Sequence, residues 1–111
     1  MVYLVKTKLM TSEIETNNNN NMQLEAGNNS YEIVSFTRLG ASEEVQIVLN
    51  RCEEISEGTI LVFKDKNGEE ILGLVKETIR SDEDLYLYVE PNPGNQLKVN
   101  SINSIQVWGK I

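Results

Sequence analysis

The sequence predicts an all-β fold, a small coiled β-sheet or half-barrel of about six to eight short strands. Its 111 residues are enough for one domain with one modest core. From residue 31 onward, short β-favouring runs alternate with turn signals at close spacing, which favours a coiled sheet over helix-linked parallel strands. Two turn signals are strong, namely Asn67-Gly68 and the proline-bounded stretch at 91–94.

The first thirty residues carry one predicted strand and a polar segment. Residues 2–8 have a strand composition, whereas residues 17–21 are all asparagine. An asparagine run has no apolar side to bury, so we expect a flexible, Asn-rich surface loop at about residues 11–30. Asn28-Asn29-Ser30 adds a turn signal at its end.

The middle of the chain predicts three strands. Residues 31–37 are short and β-favouring, and residues 59–64 form an apolar run after a turn at 55–58. Between them, Val45, Ile47 and Leu49 share one side of a strand at period two. A helix over residues 41–52 competes, because Glu43-Glu44 could open one; the β-branched composition favours the strand.

The last third predicts a hairpin and three further strands. Asn67-Gly68 joins the strand at 59–64 to a return strand at 70–79, in which Gly73 indicates a bulge or a close backbone approach. Acidic residues at 81–84 form the next turn, and the strand at 85–89 ends at Pro91. Two short strands, at 97–99 and 105–111, close the chain.

Composition excludes several kinds of chemistry. The chain has no histidine and a single cysteine, Cys52, so neither an intrachain disulfide nor a His/Cys zinc site can form. Histidine-based nucleophilic catalysis is excluded for the same reason. We expect no cofactor, no metal and a packed or idle Cys52 thiol. Asp82-Glu83-Asp84 is interpreted as a solvated turn because it lacks the pattern of a calcium loop.

Charge and hydropathy restrict the partners. The net charge of −7 disfavours direct nucleic-acid binding, which needs a basic surface. It permits an acidic inhibitor that mimics DNA and binds a basic nucleic-acid enzyme. Neither a signal peptide nor a run of ~18 apolar residues is recognisable, so we expect a cytoplasmic protein with no membrane contact.

Trp108, Tyr86 and Tyr88 are expected in core or cross-strand packing.

The order of motifs from residue 54 to residue 111 resembles the C-terminal peptidase domain of LexA and of the mutagenesis protein UmuD. The motifs are EGTILV at 57–62, LVKETI at 74–79, LYLYVEPNP at 85–93, LKV at 97–99 and IQVWGKI at 105–111. The resemblance implies a LexA- or signal-peptidase-like fold, self-association with a contribution from the C-terminal strand, and a Ser-Lys dyad. A phage or mobile-element accessory protein suits such a shortened domain.

Lys76 matches the position of the family's general base. A lysine in water has a pKa of ~10.4, and burial can lower a lysine pKa by up to ~3–5 units, which yields a neutral amine able to activate serine. At period two Lys76 shares its side of the strand with Leu74 and Thr78, so we expect partial burial. A surface lysine along the strand is the alternative.

The family's serine loop has no counterpart in this chain. An ungapped alignment puts Ser35 at the nucleophile position, whereas an alignment on the preceding strand puts Leu39 there, with Ser42 nearby. A mid-strand serine seldom meets oxyanion donors, so we interpret the chain as a pseudoenzyme that departs from the family pattern by the loss of its serine. Ala26-Gly27 is the candidate self-cleavage bond.

Three functions therefore remain open. The first is a LexA/UmuD-like β domain acting in protein association, as a homodimer or with a regulatory partner. The second is an active Ser-Lys self-cleaving peptidase that uses Lys76 with Ser35 or Ser42. The third is the acidic inhibitor described above.

Overall fold

Eight β-strands make up most of the described chain. A computed structural model describes residues 15–17, 22–38, 43–52, 55–95 and 97–110, so the strand predicted at residues 2–8 lies outside them. The strands are β1 (Glu15–Thr16), β2 (Gln23–Ala26), β3 (Asn29–Arg38), β4 (Val45–Asn50), β5 (Thr59–Asp65), β6 (Glu70–Ser81), β7 (Asp84–Pro91) and β8 (Ile102–Lys110). A short 3₁₀ helix, Val99–Ser101, precedes β8.

Seven of these strands close into a barrel. The order is β3-β2-β8-β5-β6-β7-β4, β4 pairs back with β3, and β1 pairs with β3 as an additional strand. Neighbours are antiparallel except β2 and β8, whose parallel contact joins Leu24 to Ile105 and Glu25 to Gln106. The predicted all-β fold of six to eight strands is confirmed, and the sheet closes fully where the sequence suggested a half-barrel.

Part of the predicted Asn-rich loop pairs with β3. The Asn17 N–H donates to the Phe36 carbonyl at 2.8 Å, and the Ile33 N–H donates to the Met22 carbonyl at 3.1 Å. Strands β1 and β2 thus follow one line along β3, with residues 18–21 outside the described ranges. The turn lies at residues 27–28, one position earlier than expected. Leu24, which is fully buried, explains why residues 23–26 form a strand.

The barrel interior is filled by inward-facing side chains. Val45, Ile47 and Leu49 are all completely buried, so the predicted strand is confirmed and the competing helix is wrong. The Phe36 and Phe63 rings stack with centroids 5.8 Å apart. A Cβ built on Gly73 would lie 2.7 Å from Val89 Cγ1, which confirms the predicted close approach.

Buried residues close both barrel ends. Cys52 and Ile55, between β4 and β5, are buried, and so are Leu97 and Val99, between β7 and β8. The strand predicted at 97–99 is therefore wrong. The chain here passes from β7 to β8, which are not neighbours in the barrel, and it forms the 3₁₀ helix there. Leu97 and Val99 point into the end of the barrel and Lys98 does not, so apolar and polar residues alternate here as they would in a strand.

Candidate functional site

Lys76, the candidate base, lies at a β-bulge in β6. The register with β7 shifts between Val75 and Glu77, so Lys76 is the additional residue. Both Lys76 and Glu77 are exposed, because the bulge interrupts the period of two. The partial burial expected for Lys76 is thus wrong. Among the described residues, no hydrogen-bond or ion-pair partner is present for its amine.

Ser35, the candidate nucleophile, is half-buried in the middle of β3. It is paired with Val48 of β4, and Val48 is in turn paired with Tyr86 of β7. Strands β4 and β7 therefore separate Ser35 from the strand that carries Lys76. At ~4.8 Å per strand, three steps give roughly 14 Å across the sheet. The structure does not bring the two side chains together.

The other candidate positions of the dyad lie apart as well. Ser42 falls outside the described residues. Ala26-Gly27 ends β2 and begins the turn into β3, where Ala26 is paired with Asn29. From Asn29 to Ser35 the strand spans roughly 20 Å at ~3.3 Å per residue. The candidate cleavage bond therefore lies far along the hairpin from Ser35.

A different serine and lysine do contact each other. Lys110 Nζ donates a hydrogen bond to Ser56 Oγ at 2.7 Å. Because Thr59 is paired with Lys110, the turn before β5 lies beside the end of β8. The lysine is exposed, and activation of a serine by an amine needs a desolvated or cation-flanked lysine. The contact holds the end of β8 against the turn before β5. The two residues are 54 positions apart in the sequence, so no local pattern indicated the contact.

The outward side of β5 and β6 is apolar over two adjacent rows. Ile60 is paired with Leu74, and Val62 is paired with Leu72. All four are only half-buried, since the residues between them, Leu61 and Gly73, point into the core. We call these four aliphatic residues the β5–β6 face. They form a contiguous apolar surface on a chain of which 24% is charged.

Trp108 extends this surface onto β8. Val107 is paired with Leu61 and Gly109 with Ile60, so Trp108 is the additional residue of a second bulge. Its side chain is 67% exposed. The expectation that Trp108 packs in the core or against a neighbouring strand is therefore wrong, because a bulge redirects the residue that it inserts. No local sequence pattern marks such a bulge.

The two tyrosines behave as expected. Tyr86 and Tyr88 are half-buried on β7, paired with Val48 and Gln46 of β4. Gln46 Nε2 donates to the Tyr88 hydroxyl at 3.1 Å. The predicted cross-strand packing is thus confirmed for both tyrosines.

Charged residues border the β5–β6 face at both ends of its strands and on the β7 side. Lys64 and Glu70 are paired one row beyond Val62 and Leu72, with 3.8 Å between Lys64 Nζ and Glu70 Oε2. Three lysines and four glutamates lie next to the face, and their formal charges sum to −1: Lys64, Lys76, Lys110, Glu57, Glu70, Glu77 and Glu90. The surroundings of the face are therefore nearly neutral, although the chain carries −7.

A second apolar row lies on the outside of β3, β4, β7 and β6. Val34 is 53% exposed and Ile79 is 46% exposed, while Val48 between them is 5% exposed. Val48 is therefore already covered by its neighbours within the chain. This row offers less uncovered apolar surface than the β5–β6 face with Trp108.

Other polar clusters on the described surface lack the features of a metal site. Glu43, Glu44 and Glu90 line a surface depression of about 310 Å³ together with Pro91 and Pro93. Within the described ranges, no group of three or more His, Cys, Asp or Glu side chains is arranged to hold a metal ion. Nor does any helix in those ranges have the length and apolarity to cross a membrane.

Comparisons with known proteins give no relative. No protein-family model, curated protein or solved structure matches this chain.

Proposed function

We propose that the chain is a LexA/UmuD-like β domain that associates with a second copy of itself and does not cleave peptides. The observation that carries this proposal is Trp108, 67% exposed beside the half-buried aliphatic rows of the β5–β6 face. Single exposed apolar residues are ordinary on protein surfaces, whereas a contiguous group with an aromatic residue is typical of an interface.

The packed interior supports a role for the outer surface. Buried side chains occupy the barrel interior, and Cys52, Ile55, Leu97 and Val99 are buried at its ends. A small-molecule carrier would need an enclosed cavity of at least ~300 Å³ among these residues. The buried interior therefore supports recognition on the outside of the barrel, where the exposed tryptophan lies.

The separation of Ser35 from Lys76 supports the non-enzymatic part of the proposal. A serine nucleophile and its base act within ~2.6–3.2 Å of each other, with looser geometry in ligand-free proteins. Strands β4 and β7 lie between the two residues, and this separation is much larger than the looser geometry of a ligand-free site allows. The Lys76 side chain is also exposed, whereas activation of a serine by an amine needs a desolvated or cation-flanked lysine.

Light scattering tests the association directly. At ~0.15 M salt and high micromolar concentration, we expect a mass of twice 12.6 kDa. Because Trp108 is the only tryptophan, its emission should shift to shorter wavelength as the chain is concentrated. A mass of one chain throughout the series, with no change in emission, would overturn the association.

Incubation near pH 10, where lysines lose protons, tests the absence of self-cleavage. We expect the full chain to remain intact over many hours, as judged by mass spectrometry. Discrete fragments that disappear in Lys76→Ala would contradict the non-enzymatic assignment. Fragments that disappear in Lys110→Ala instead would assign the chemistry to the Ser56–Lys110 contact.

A further inference from the structure

The β5–β6 face has a two-fold symmetric residue pattern. Its centre is the inward pair of Leu61 and Gly73. On β5, Ile60 and Val62 flank Leu61. On β6, Leu72 and Leu74 flank Gly73. A two-fold axis across the strands at this centre exchanges Ile60 with Val62 and Leu72 with Leu74, so apolar residues meet apolar residues.

We propose that two copies of the chain pack through their β5–β6 faces, related by a two-fold axis that passes across the strands above Leu61 and Gly73. This inference rests on the proposed self-association and names the surface that carries it. Closed dimers use the same surface of both subunits, so a self-complementary pattern is what such an interface requires.

The charges at three residues from the centre obey the same symmetry. On β6, Glu70 lies three positions before Gly73 and Lys76 lies three positions after it. The axis therefore places Glu70 opposite Lys76 of the second copy, twice in the dimer. Lys76 has no ion-pair partner among the described residues of its own chain, so the second copy supplies one.

On the β5 side, a basic residue lies at one symmetric position and an acidic residue lies next to the other. Lys64 lies three positions after Leu61, and Gly58 lies three positions before it, next to the exposed Glu57. The axis places Lys64 opposite the Glu57–Gly58 turn of the second copy. Strand β6 thus pairs unlike charges at its symmetric positions, and the turn before β5 adds an acidic residue, Glu57, one position beyond the symmetric one.

Trp108 has a place in this arrangement. Trp108 lies on β8 beside Ile60. The two-fold axis places Ile60 of one copy opposite Val62 of the other, and Val62 is paired with Gln106 of β8. The indole of one copy therefore lies over Gln106 and Val62 of the other. Aromatic anchors of this kind carry much of the energy of many interfaces.

A second copy fits the face better than a basic partner. The seven charged residues next to the face sum to −1, so two copies approach there with less repulsion than their net charges of −7 would produce. A strongly basic partner would instead be attracted to acidic surface such as that around Glu43 and Glu44.

Charge exchange between the two β6 positions tests the inference. Sedimentation equilibrium of the full chain is compared for Glu70→Lys, Lys76→Glu and the double variant carrying both. Each single variant places like charges opposite each other, so we expect the dimer dissociation constant to rise at least tenfold. The double variant keeps the net charge of −7 and should return within about threefold of the unmutated chain.

Matched controls separate this effect from a general change of charge. Glu69→Lys and Lys98→Glu change exposed residues by the same amounts, away from the symmetric positions, and should leave the dissociation constant within about threefold. Circular dichroism of each variant verifies the fold. Leu74→Glu, at an outward position, should give a folded monomer.

The outcomes distinguish this inference from the proposed function. If Glu70→Lys, Lys76→Glu and Leu74→Glu all leave the dimer dissociation constant unchanged, the β5–β6 interface is overturned. Self-association through another surface would then still hold. A double variant as weak as the single variants would overturn the pairing of Glu70 with Lys76. A monomeric unmutated chain would overturn both.

Discussion

Gly73 lies where the backbone of β6 passes close to buried side chains of the core. A Cβ at this position would lie 2.7 Å from Val89 Cγ1 and 2.9 Å from Phe63 Cε1, both on side chains that are fully buried. Neither neighbour can move into solvent, so the absence of a side chain is a packing requirement here.

Gly73→Ala should destabilise the chain by about 1–3 kcal/mol, because the added methyl group overpacks the core. The matched control is Gly109→Ala, since a Cβ on Gly109 meets nothing within 4 Å. We expect that variant to stay within ~0.5 kcal/mol of the unmutated chain. Urea unfolding at low micromolar concentration measures both, and equal midpoints would contradict the close approach.

At the scale of elements, β1 joins the 3₁₀ helix to the barrel through side chains. Glu15 Oε1 accepts a hydrogen bond from the Val99 N–H at 2.7 Å. Asn17 Nδ2 donates to the Val99 carbonyl at 2.7 Å and to the Ile102 carbonyl at 3.4 Å. A very short strand and the residue after it therefore position the segment that closes one barrel end.

Asn17→Ala should lower the free energy of unfolding by about 0.5–1.5 kcal/mol, because it removes the side-chain donor to Val99. Asn50→Ala is the control, since Asn50 Nδ2 donates to Glu32 Oε1 at 3.3 Å in an exposed position. Its effect should be below ~0.5 kcal/mol. If the two variants have the same urea midpoint, the Asn17 side chain does not stabilise this end of the barrel.

For the whole molecule, closure is the main structural property. The parallel contact between β2 and β8 has only two paired positions on each strand, yet it completes the barrel. Cys52 lies fully buried at one of the closed ends, and its carbonyl accepts a hydrogen bond from Arg80 Nη2. The thiol can therefore react only after this end opens.

Cys52 should react with a thiol reagent at least about a hundredfold more slowly than an exposed cysteine, because access requires local or global opening. The control is Ser81→Cys in a Cys52→Ala background, since Ser81 is exposed. Labelling of Cys52 in increasing urea should follow the loss of the circular dichroism signal. Rapid labelling of the native chain would show that this barrel end is open.

The fold class and most strand positions could be predicted from local pattern. Val45, Ile47 and Leu49 alternate as a strand with one buried side, and Asn67-Gly68 lies in the turn between β5 and β6. Residue content is enough to exclude histidine catalysis and an intrachain disulfide. These conclusions hold because alternation, turn preference and residue content are properties of short segments or of composition.

The arrangement of the surface was decided by the tertiary structure alone. Bulges expose Lys76 and Trp108, although alternation and composition suggested that both were at least partly packed. A bulge arises from the register between neighbouring strands, and barrel closure decides which strands are neighbours. The sequence by itself determined an acidic all-β domain without histidine chemistry. Only the packing of strands distant in sequence decided that Ser35 lies apart from Lys76 and that an apolar face with Trp108 remains uncovered.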